Sequence, residues 1–273
     1  MNSELPPKAI VTPFNQTVLL ATRWGHMIGL SGDPYQTSSL GFYGEWAKDE
    51  CALICSMLKP GDVALDVGAN IGSITVAMAK KVGINGRVFA FEPQTAPFHC
   101  LCGNIALTHA LSHARAINAA VSDFDGVIQV PIVDVNKSFN FGGVRLEDPN
   151  YAALTNLPKE EVPCLRIDSL QLPRVDFIKI DVETMESKVL AGAVETINRC
   201  RPLILAEAIT CDPGTVEANN VDAMLLFFKA NNYTVRVFNT LLFSPDTVRY
   251  CPDNIFPGGD QNIVAAADAD RRV

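Results

Sequence analysis

The sequence carries too little positive charge for several classes of function. Its 273 residues include 22 lysines and arginines against 30 aspartates and glutamates, which gives a formal net charge of −8. Phosphate-rich partners need a clustered positive surface, so we expect no nucleic-acid partner. The chain also lacks a basic N-terminal start followed by an apolar stretch, and it has no uncharged apolar run of about 18 residues. We therefore predict a cytoplasmic protein without membrane contact.

Motifs of metal-binding proteins are also missing. The chain has four histidines and eight cysteines, and neither CxxC nor HExxH occurs. One segment gathers several potential zinc ligands, namely His99, Cys100, Cys102, His109 and His113. Because these residues lack the ligand spacing of zinc sites, we interpret the segment as an ordinary helix and predict no metal. Scattered cysteines in a long chain indicate reduced, buried thiols and not a disulfide framework.

From residue 60 onward the sequence alternates regularly between strand and helix patterns. Apolar runs typical of strands occupy residues 62–67, 87–91, 115–121, 175–181, 202–207, 233–238 and 262–267. Helical spacing of apolar residues occupies 71–82, 94–108, 185–199 and 217–231. This alternation predicts an α/β fold with a doubly wound, mostly parallel sheet. A loop joins the last two strands, so we expect the last strand to be antiparallel.

Two segments fall outside the alternation. Residues 1–59, here called the N-terminal extension, combine a hairpin pattern with a helix that has one apolar stripe. Neither element could bury its apolar face alone, so we expect the extension to pack on a domain formed by residues 60–273. Residues 134–161 form a long polar stretch between two strands, and loops of that length are usually functional or disordered. We predict that this stretch is an insertion on the substrate side of the site.

The stretch VALDVGANIG joins the first strand of this domain to its first helix and carries the most specific signal. A dinucleotide site would require glycines at two positions that are occupied by Asn70 and Ser73. The alternative pattern, an acid followed by three alternating glycines, fits Asp66, Gly68 and Gly72 with Asn70 in the middle place. Asparagine is among the few non-glycine residues that adopt positive φ readily, so that substitution is mild. The turn favours S-adenosylmethionine as cofactor.

Charge and the end of the next strand bear on the same choice. Unit charges about 4 Å apart interact by roughly 4 kcal/mol at an effective dielectric of 20. Asp66 facing the site would therefore repel a pyrophosphate and attract a sulfonium. Glu92, followed by Pro93, ends the second strand of the domain, where a carboxylate accepts hydrogen bonds from the ribose hydroxyls of either cofactor.

Four further positions each have two interpretations. Tyr43 closes over the cofactor or packs within the extension, and Asn104 contacts the cofactor or lies at the surface. Ser122 and Asp123 follow the third strand, where they either meet the adenine amino group or form an ordinary turn. The full set of predicted cofactor-binding residues is Tyr43, Asp66, Gly68, Ala69, Asn70, Gly72, Glu92, Pro93, Asn104, Ser122 and Asp123.

A second group of acids follows the fourth and fifth strands of the domain. Asp181 ends the strand in IKIDVETMES, Glu183 and Glu186 follow it, and Glu207 ends the next strand. Acids at a helix start are also common for reasons of the helix dipole alone. Carboxylates gathered at neighbouring strand ends nevertheless supply a base, because their mutual repulsion raises pKa values. We predict Asp181, Glu183 and Glu207 as catalytic residues, with Asp181 or Glu183 as the base.

These motifs resemble the FkbM family of S-adenosylmethionine-dependent methyltransferases. The resemblance covers YGEW at 43–46, LDVGANIG at 65–72, FEP at 91–93, RIDSL at 166–170, VDFIKIDVETMES at 175–187, VLAGA at 189–193 and PLILAE at 202–207. It implies a Rossmann-like class I methyltransferase fold with seven strands and methylation of a hydroxyl on a small molecule, sugar or glycan. One departure is Thr184, where the family usually has glycine. A side chain there would narrow the acceptor cleft or shift the loop.

Two alternative functions stay open. An NAD(P)-dependent oxidoreductase would use the same fold, although the missing fingerprint glycines disfavour it. A non-catalytic protein that binds S-adenosylmethionine without turnover would be consistent with Thr184. The segment EDPNY at 147–151 superficially resembles a loop of methyltransferases that act on adenine, but it does not follow the fourth strand directly, so we reject that interpretation. The sequence is also compatible with a homo-oligomer.

Overall fold

The structure, a computed structural model, describes residues 10–11, 16–146, 156–208, 213–241 and 259–267. Its strands are β1 (Ile10–Val11), β2 (Thr17–Thr22), β3 (Gly25–Leu30), β4 (Val63–Val67), β5 (Arg87–Phe91), β6 (Ala114–Ile117), β7 (Ala120–Val121), β8 (Gly126–Pro131), β9 (Lys159–Leu165), β10 (Phe177–Ile180), β11 (Leu203–Glu207), β12 (Tyr233–Leu241) and β13 (Gly259–Ala267). Its α-helices are α1 (Gln36–Tyr43), α2 (Lys48–Met57), α3 (Ser73–Val82), α4 (Thr95–Leu107), α5 (Glu186–Ala191), α6 (Val194–Cys200) and α7 (Val216–Ala230).

Seven of the strands form the central sheet, in the order β12-β13-β11-β10-β4-β5-β6. Neighbouring strands are parallel except at β13, which runs antiparallel to both β11 and β12. Side chains alternate along each strand, so Ala64 enters one apolar core and Leu65 enters the core on the opposite face. The predicted α/β fold with seven strands and an antiparallel last strand is confirmed.

Strand order reverses at β4, because the chain runs outward to β5 and β6 and then returns to β10 on the other side. In open sheets of this type, ligands bind outside the carboxyl ends of the strands at such a switch point. The site is therefore expected above β4, between the ends of β5 and β10.

Two predicted elements are each divided in the structure. The strand predicted at 115–121 splits, because β6 ends at Ile117 and β7 joins a separate three-stranded sheet of order β7-β9-β8. The helix predicted at 185–199 splits into α5 and α6 next to Gly192. That glycine packs so closely that a Cβ would overlap the carbonyl oxygen of Ser122. The carboxylate of Asp168 then accepts hydrogen bonds from the first turn of α6, from the backbone N–H groups of Glu195 and Thr196.

The N-terminal extension packs beside the glycine turn that follows β4. Its strands β2 and β3 form an antiparallel hairpin. Apolar residues of the extension and of the sheet domain share one core, formed by Leu20, Leu30, Leu40, Ile71, Cys100 and Phe141. None of the helices in the described part of the chain has the length and apolarity needed to cross a membrane.

Candidate active site

The turn after β4 requires small residues for two steric reasons. Gly68 has φ +82° and lies so close to the next strand that a Cβ would overlap the carbonyl oxygen of Asp181. Gly72 has φ +88°, and a Cβ there would come within 2.6 Å of Leu101 Cδ1. Asn70 adopts φ +50°, the conformation for which asparagine is tolerated. The turn is thus built as the sequence predicted.

Asp66 does not act as its position in the sequence suggested. Its side chain is fully buried and is absent from the cavity wall. One carboxylate oxygen accepts a hydrogen bond from Thr75 Oγ1 at 2.5 Å, and the other lies 3.5 Å from the ammonium of Lys179. Because Lys179 neutralises Asp66 beneath the turn, the predicted repulsion between Asp66 and a pyrophosphate is wrong.

Lys179 was missed in the sequence, although it interrupts the apolar strand FIKI and such a lysine requires anionic partners. It is 3% exposed. Its Nζ lies 3.0 Å from Asp181 Oδ2 and donates to the carbonyl oxygen of Gly68 at 3.0 Å. Burial alone would lower the pKa of Lys179, but the carboxylates of Asp181, Asp66 and Glu50 raise it above its ordinary value. Lys179 therefore stays charged and connects the glycine turn to the acids of β10.

Glu92 lies on the cavity wall at the end of β5, as predicted. Its Oε2 accepts a hydrogen bond from the backbone N–H of Asn70 at 2.8 Å, and its Oε1 accepts one from Gln94 at 2.9 Å. Each carboxylate oxygen has a second lone pair, so both can still accept hydroxyl hydrogens. Burial raises the pKa of Glu92 to about 7, although these two hydrogen bonds oppose the shift.

We expect the affinity for S-adenosylhomocysteine to rise with pH around neutrality. The sequence predicts that Glu92 binds the ribose, and for that contact only the ionised carboxylate offers acceptors to both hydroxyls, so the free carboxylate would have to lose its proton first. With a pKa of about 7, the ionised fraction rises about tenfold between pH 6 and pH 8. The dissociation constant measured by calorimetry should fall by about the same factor, and in Glu92→Gln this dependence should disappear.

The stability of the ligand-free protein should show the opposite trend. The pKa of Glu92 is about 7 in the folded protein and 4.5 ordinarily. Between pH 4.5 and about pH 7, the folded protein therefore binds more protons than the unfolded chain. Glu92 therefore makes unfolding easier as pH rises through this window.

For the prediction on ligand affinity, a wild-type affinity that is constant from pH 6 to pH 8 would contradict the assigned role of Glu92.

A cavity extends along the carboxyl ends of β4, β5, β10 and β11. Predicted residues on its wall are Gly68, Ala69, Asn70, Glu92, Pro93, Asp181, Glu183 and Glu207. Its lining carries five carboxylates, on Glu50, Glu92, Asp181, Glu183 and Glu207. Among the described lining residues, Lys179 is the only lysine or arginine. This excess of negative charge disfavours a pyrophosphate and favours a cationic ligand, which is the choice that the sequence assigned to Asp66 alone.

Two residues predicted to contact the cofactor are instead buried in the protein core beside the cavity. Tyr43 is fully buried at the end of α1 and is absent from the cavity wall. Asn104 is fully buried, and its amide exchanges two hydrogen bonds with the backbone of Ile28 in β3. The same amide donates to the carbonyl oxygen of Ile71 at 2.7 Å. Asn104 therefore ties the extension to the glycine turn, and it is absent from the cavity wall.

Ser122 and Asp123 also lie away from the cavity wall. The backbone N–H of Ser122 donates to the Leu165 carbonyl oxygen of the second sheet, and its hydroxyl donates to Asp123. The wall at this strand end is formed by Ala119, Ala120 and Val121. Gly72 is also absent from the wall, so its contribution is to the shape of the turn. The wall residues here precede Ser122 and Asp123 in the chain, and contact between these two residues and an adenine amino group stays a prediction.

Three acids predicted to be catalytic do meet. Asp181, Glu183 and Glu207 each contribute a carboxylate oxygen to a group in which all of these atoms lie within 4.8 Å of one another. Glu186 is not part of this group, because it accepts hydrogen bonds from Val182 N–H at 2.9 Å and from Asn220. Its role is to fix the loop between β10 and α5.

The stretch predicted as a substrate-side insertion contributes to the same cavity. Asn140, Phe141, Gly142, Val144 and Leu146 line it. Arg145 pairs with Glu217 of α7 and lies 3.8 Å from Glu183. Residues 147–155, which include all of EDPNY, lie outside the described residues. Contact between this stretch and an acceptor stays a prediction.

The loop after Asp181 stores backbone strain beside the acids. Glu183 has φ +55° and Thr184 has φ +78°, so two consecutive non-glycine residues adopt the left-handed region. A β-branched side chain is especially unfavourable there, and strain of this kind concentrates at functional sites. Thr184 stands at the position where glycine would remove the conflict.

Thr184→Gly is expected to stabilise the protein by about 1 kcal/mol, because glycine relieves the left-handed strain at a smaller entropic cost. Urea unfolding measures the change. Thr17→Gly in strand β2, where φ is not positive, serves as the control and should be destabilising. An unfolding free energy that falls in Thr184→Gly would contradict the strain.

The reversal of strand order at β4, with a steric glycine turn and a carboxylate at the end of β5, is the architecture of class I S-adenosylmethionine-dependent methyltransferases. Residues 66–235 match the family described as the Methyltransferase FkbM domain, and the chain belongs to that family. It is a methyltransferase, and its cofactor is S-adenosylmethionine, which supplies a methyl group already activated by a sulfonium. The negatively charged lining and the oriented carboxylate of Glu92 fit that cofactor.

Two methyltransferases are similar in sequence to part of the chain. It is 28% identical to methyltransferase sdnD of Sordaria araneosa over 179 residues, which is 56% of this chain and 68% of that protein. It is 33% identical to the 31-O-demethyl-FK506 methyltransferase FkbM of Streptomyces tacrolimicus over 177 residues, 55% of this chain and 66% of that protein. About a third of each relative thus lies outside the matched region.

Among solved structures, methyltransferase FkbM from Methylobacillus flagellatus superposes with a TM-score of 0.47 at 15% identity, over 74% of this chain and 43% of that chain. An O-methyltransferase from Bacillus cereus in complex with S-adenosylhomocysteine superposes with a TM-score of 0.49 at 14% identity, over 81% and 80%.

Proposed function

We propose that this methyltransferase transfers a methyl group to a hydroxyl of a small-molecule acceptor, with Glu183 as the base. The observation that carries the proposal is the group of three carboxylates on the cavity wall. A hydroxyl is a weak nucleophile that must lose its proton during transfer, and a carboxylate within reach accelerates such a step by roughly 10²- to 10⁴-fold.

The surroundings of the three acids support a different role for each of them. Asp181 is bound to the Lys179 ammonium at 3.0 Å, so its charge is held in place and serves to orient the neighbouring groups. Glu183 is paired instead with Arg145, whose guanidinium Nε lies 3.8 Å from its carboxylate. Its side chain projects from the strained loop into the cavity, where it can accept the proton of the acceptor hydroxyl. Glu207 completes the wall on the side of β11.

The lining of the cavity supports an acceptor with apolar surface. Apolar side chains on the wall near the acids and on the 134–161 stretch are Trp46, Phe141, Val144, Leu146 and Met185. Apolar walls with a few placed polar groups are typical of small-molecule sites. The Streptomyces relative is named for 31-O-demethyl-FK506. A hydroxyl on an apolar natural product is therefore the acceptor class that we favour over sugars and glycans.

The test is transfer of radiolabelled methyl groups from S-adenosylmethionine to a panel of acceptors. The panel contains hydroxylated macrolides, catechols, methyl glycosides, oligosaccharides and primary amines. We expect label on a hydroxyl of an apolar compound, located by mass spectrometry. Label on nitrogen or on glycans alone would contradict the favoured acceptor class, and binding of the cofactor product without any transfer would favour the non-catalytic alternative.

The same assay addresses a divalent cation, since three carboxylate oxygens within 4.8 Å could also hold one. Activity by a carboxylate base should be unchanged in EDTA and after addition of Mg²⁺. Loss of activity in EDTA with recovery on addition of Mg²⁺ would contradict the role of Glu183 as base. It would indicate instead that the three acids hold a cation that activates the acceptor hydroxyl.

A further inference from the structure

The N-terminal extension contributes its own polar groups to the cavity. Tyr35, Gln36, Trp46 and Glu50 all line it. These four residues lie outside residues 66–235, the part that matches the family domain. Whatever they bind is therefore recognised by a part of this chain that the domain itself does not supply.

One feature of Gln36 is not shared by Tyr35, Trp46 and Glu50, the other residues of the extension on this wall. It is 7% exposed, and its side-chain oxygen Oε1 is buried without a hydrogen-bond partner among the residues that the structure describes. Buried acceptors are normally satisfied, and an exception on the wall of a cavity indicates a donor that arrives with a ligand. The missing donor is an N–H or O–H group of that ligand.

The charge on this wall selects a cationic donor. Glu50 is 6% exposed on the same cavity, and its carboxylate acts on Lys179 of β10. Trp46 adds an aromatic ring, and aromatic rings, carboxylates and carbonyl oxygens together suit an ammonium better than a neutral hydroxyl.

We infer that Gln36 accepts a hydrogen bond from the ammonium group of the cofactor, so that the extension completes the cofactor site at its amino-acid end. Glu92 would then remain available for the ribose, as the sequence predicts. The inference depends on the cofactor and is independent of the identity of the methyl acceptor.

Two probes separate the ends of the cofactor. S-adenosylhomocysteine carries the ammonium, whereas 5′-methylthioadenosine retains the adenosine and lacks the amino acid. In Gln36→Met, which keeps the length of the side chain and removes the acceptor, binding of S-adenosylhomocysteine should weaken by about 10- to 100-fold. Binding of 5′-methylthioadenosine should change by less than about twofold, with both constants measured by calorimetry.

Thermal unfolding gives a second readout that a structural role would not produce. Removing an unsatisfied buried acceptor should leave the melting temperature of ligand-free Gln36→Met equal to or above that of the wild type. Gln36→Glu retains acceptor oxygens and should retain binding of S-adenosylhomocysteine. Thr37→Val is the matched control, because Thr37 is the buried neighbour of Gln36 in the chain but is absent from the cavity wall.

The outcomes are decisive in both directions. Equal weakening of both probes in Gln36→Met, or no change in either, would overturn the inference, as would a weakening of the same size in Thr37→Val. A wild-type protein that binds neither probe would overturn the cofactor site itself and the inference with it. Failure to find any methyl acceptor, with the binding pattern as expected, would leave the inference standing and count only against the proposed reaction.

Discussion

Lys179→Met is expected to destabilise the protein by about 3–5 kcal/mol, because it leaves a buried carboxylate without its counter-charge. Asp66 is fully buried, and Lys179 lies 3.5 Å from it in the adjacent strand. The same change removes the hydrogen bond to the Gly68 carbonyl oxygen at 3.0 Å. The glycine turn would lose its support, so binding of S-adenosylhomocysteine should weaken in whatever fraction remains folded. Urea unfolding and calorimetry measure the two effects.

A surface lysine provides the matched control for this prediction. Lys137 lies 3.7 Å from Asp134, but both side chains are largely exposed, so Lys137→Met should change stability by less than about 1 kcal/mol. The double variant Lys179→Met with Asp66→Asn removes both buried charges and keeps the hydrogen bond from Thr75. We expect it to regain most of the lost stability, since the Asp181 side chain is 38% exposed and water can solvate its charge once Lys179 is replaced. A double variant as unstable as Lys179→Met alone would show that charge burial is not the cause.

The glycine turn and the acid of β5 could be predicted because their requirements are local. Positive φ and close approach restrict a position to glycine or asparagine, and this restriction is visible in the residue types themselves. The end of a strand is also visible, so Glu92 could be placed on the cavity wall. Predicting the glycine turn and Glu92 requires only one fact about the rest of the fold, namely that the carboxyl ends of parallel strands lie at the same edge of the sheet.

The environment of Asp66 could not be predicted, because it depends on the pairing of strands. Lys179 is directly opposite Asp66 in the register between β10 and β4, although the two residues are more than a hundred positions apart in the chain. Asn104 is similar, since its amide is used by Ile28 and Ile71, which are distant in sequence. A polar residue near a predicted site was therefore assigned to the ligand when its partner was in the protein.

The break between α5 and α6 had no periodic signal. Apolar residues continue at helical spacing across Gly192, so the pattern reads as one helix. The interruption follows from Gly192 packing against the Ser122 carbonyl and from Asp168, outside the helix, accepting hydrogen bonds from the first turn of α6. Both contacts come from other parts of the chain.

Glu183→Gln is expected to lower the turnover number by roughly 10²- to 10⁴-fold, the range that a positioned general base contributes. The amide keeps the shape of the side chain and cannot accept the hydroxyl proton, so the affinity for S-adenosylhomocysteine should change by less than about twofold. Single-turnover kinetics with the best acceptor of the panel measure the chemical step. The limb of the pH–rate profile that belongs to the base should disappear as well.

Glu217→Gln separates loss of the base from loss of an ion pair. Glu217 pairs with the same Arg145 that faces Glu183, yet it is absent from the cavity wall. This variant should therefore retain activity close to that of the wild type, because the proton acceptor is intact. Asp181→Asn and Glu207→Gln complete the set of variants. If one of them abolishes transfer while Glu183→Gln remains active, the base is the acid that was replaced in the inactive variant. Since all three oxygens lie within 4.8 Å of one another, the position of the acceptor hydroxyl would then shift only within the same group of acids.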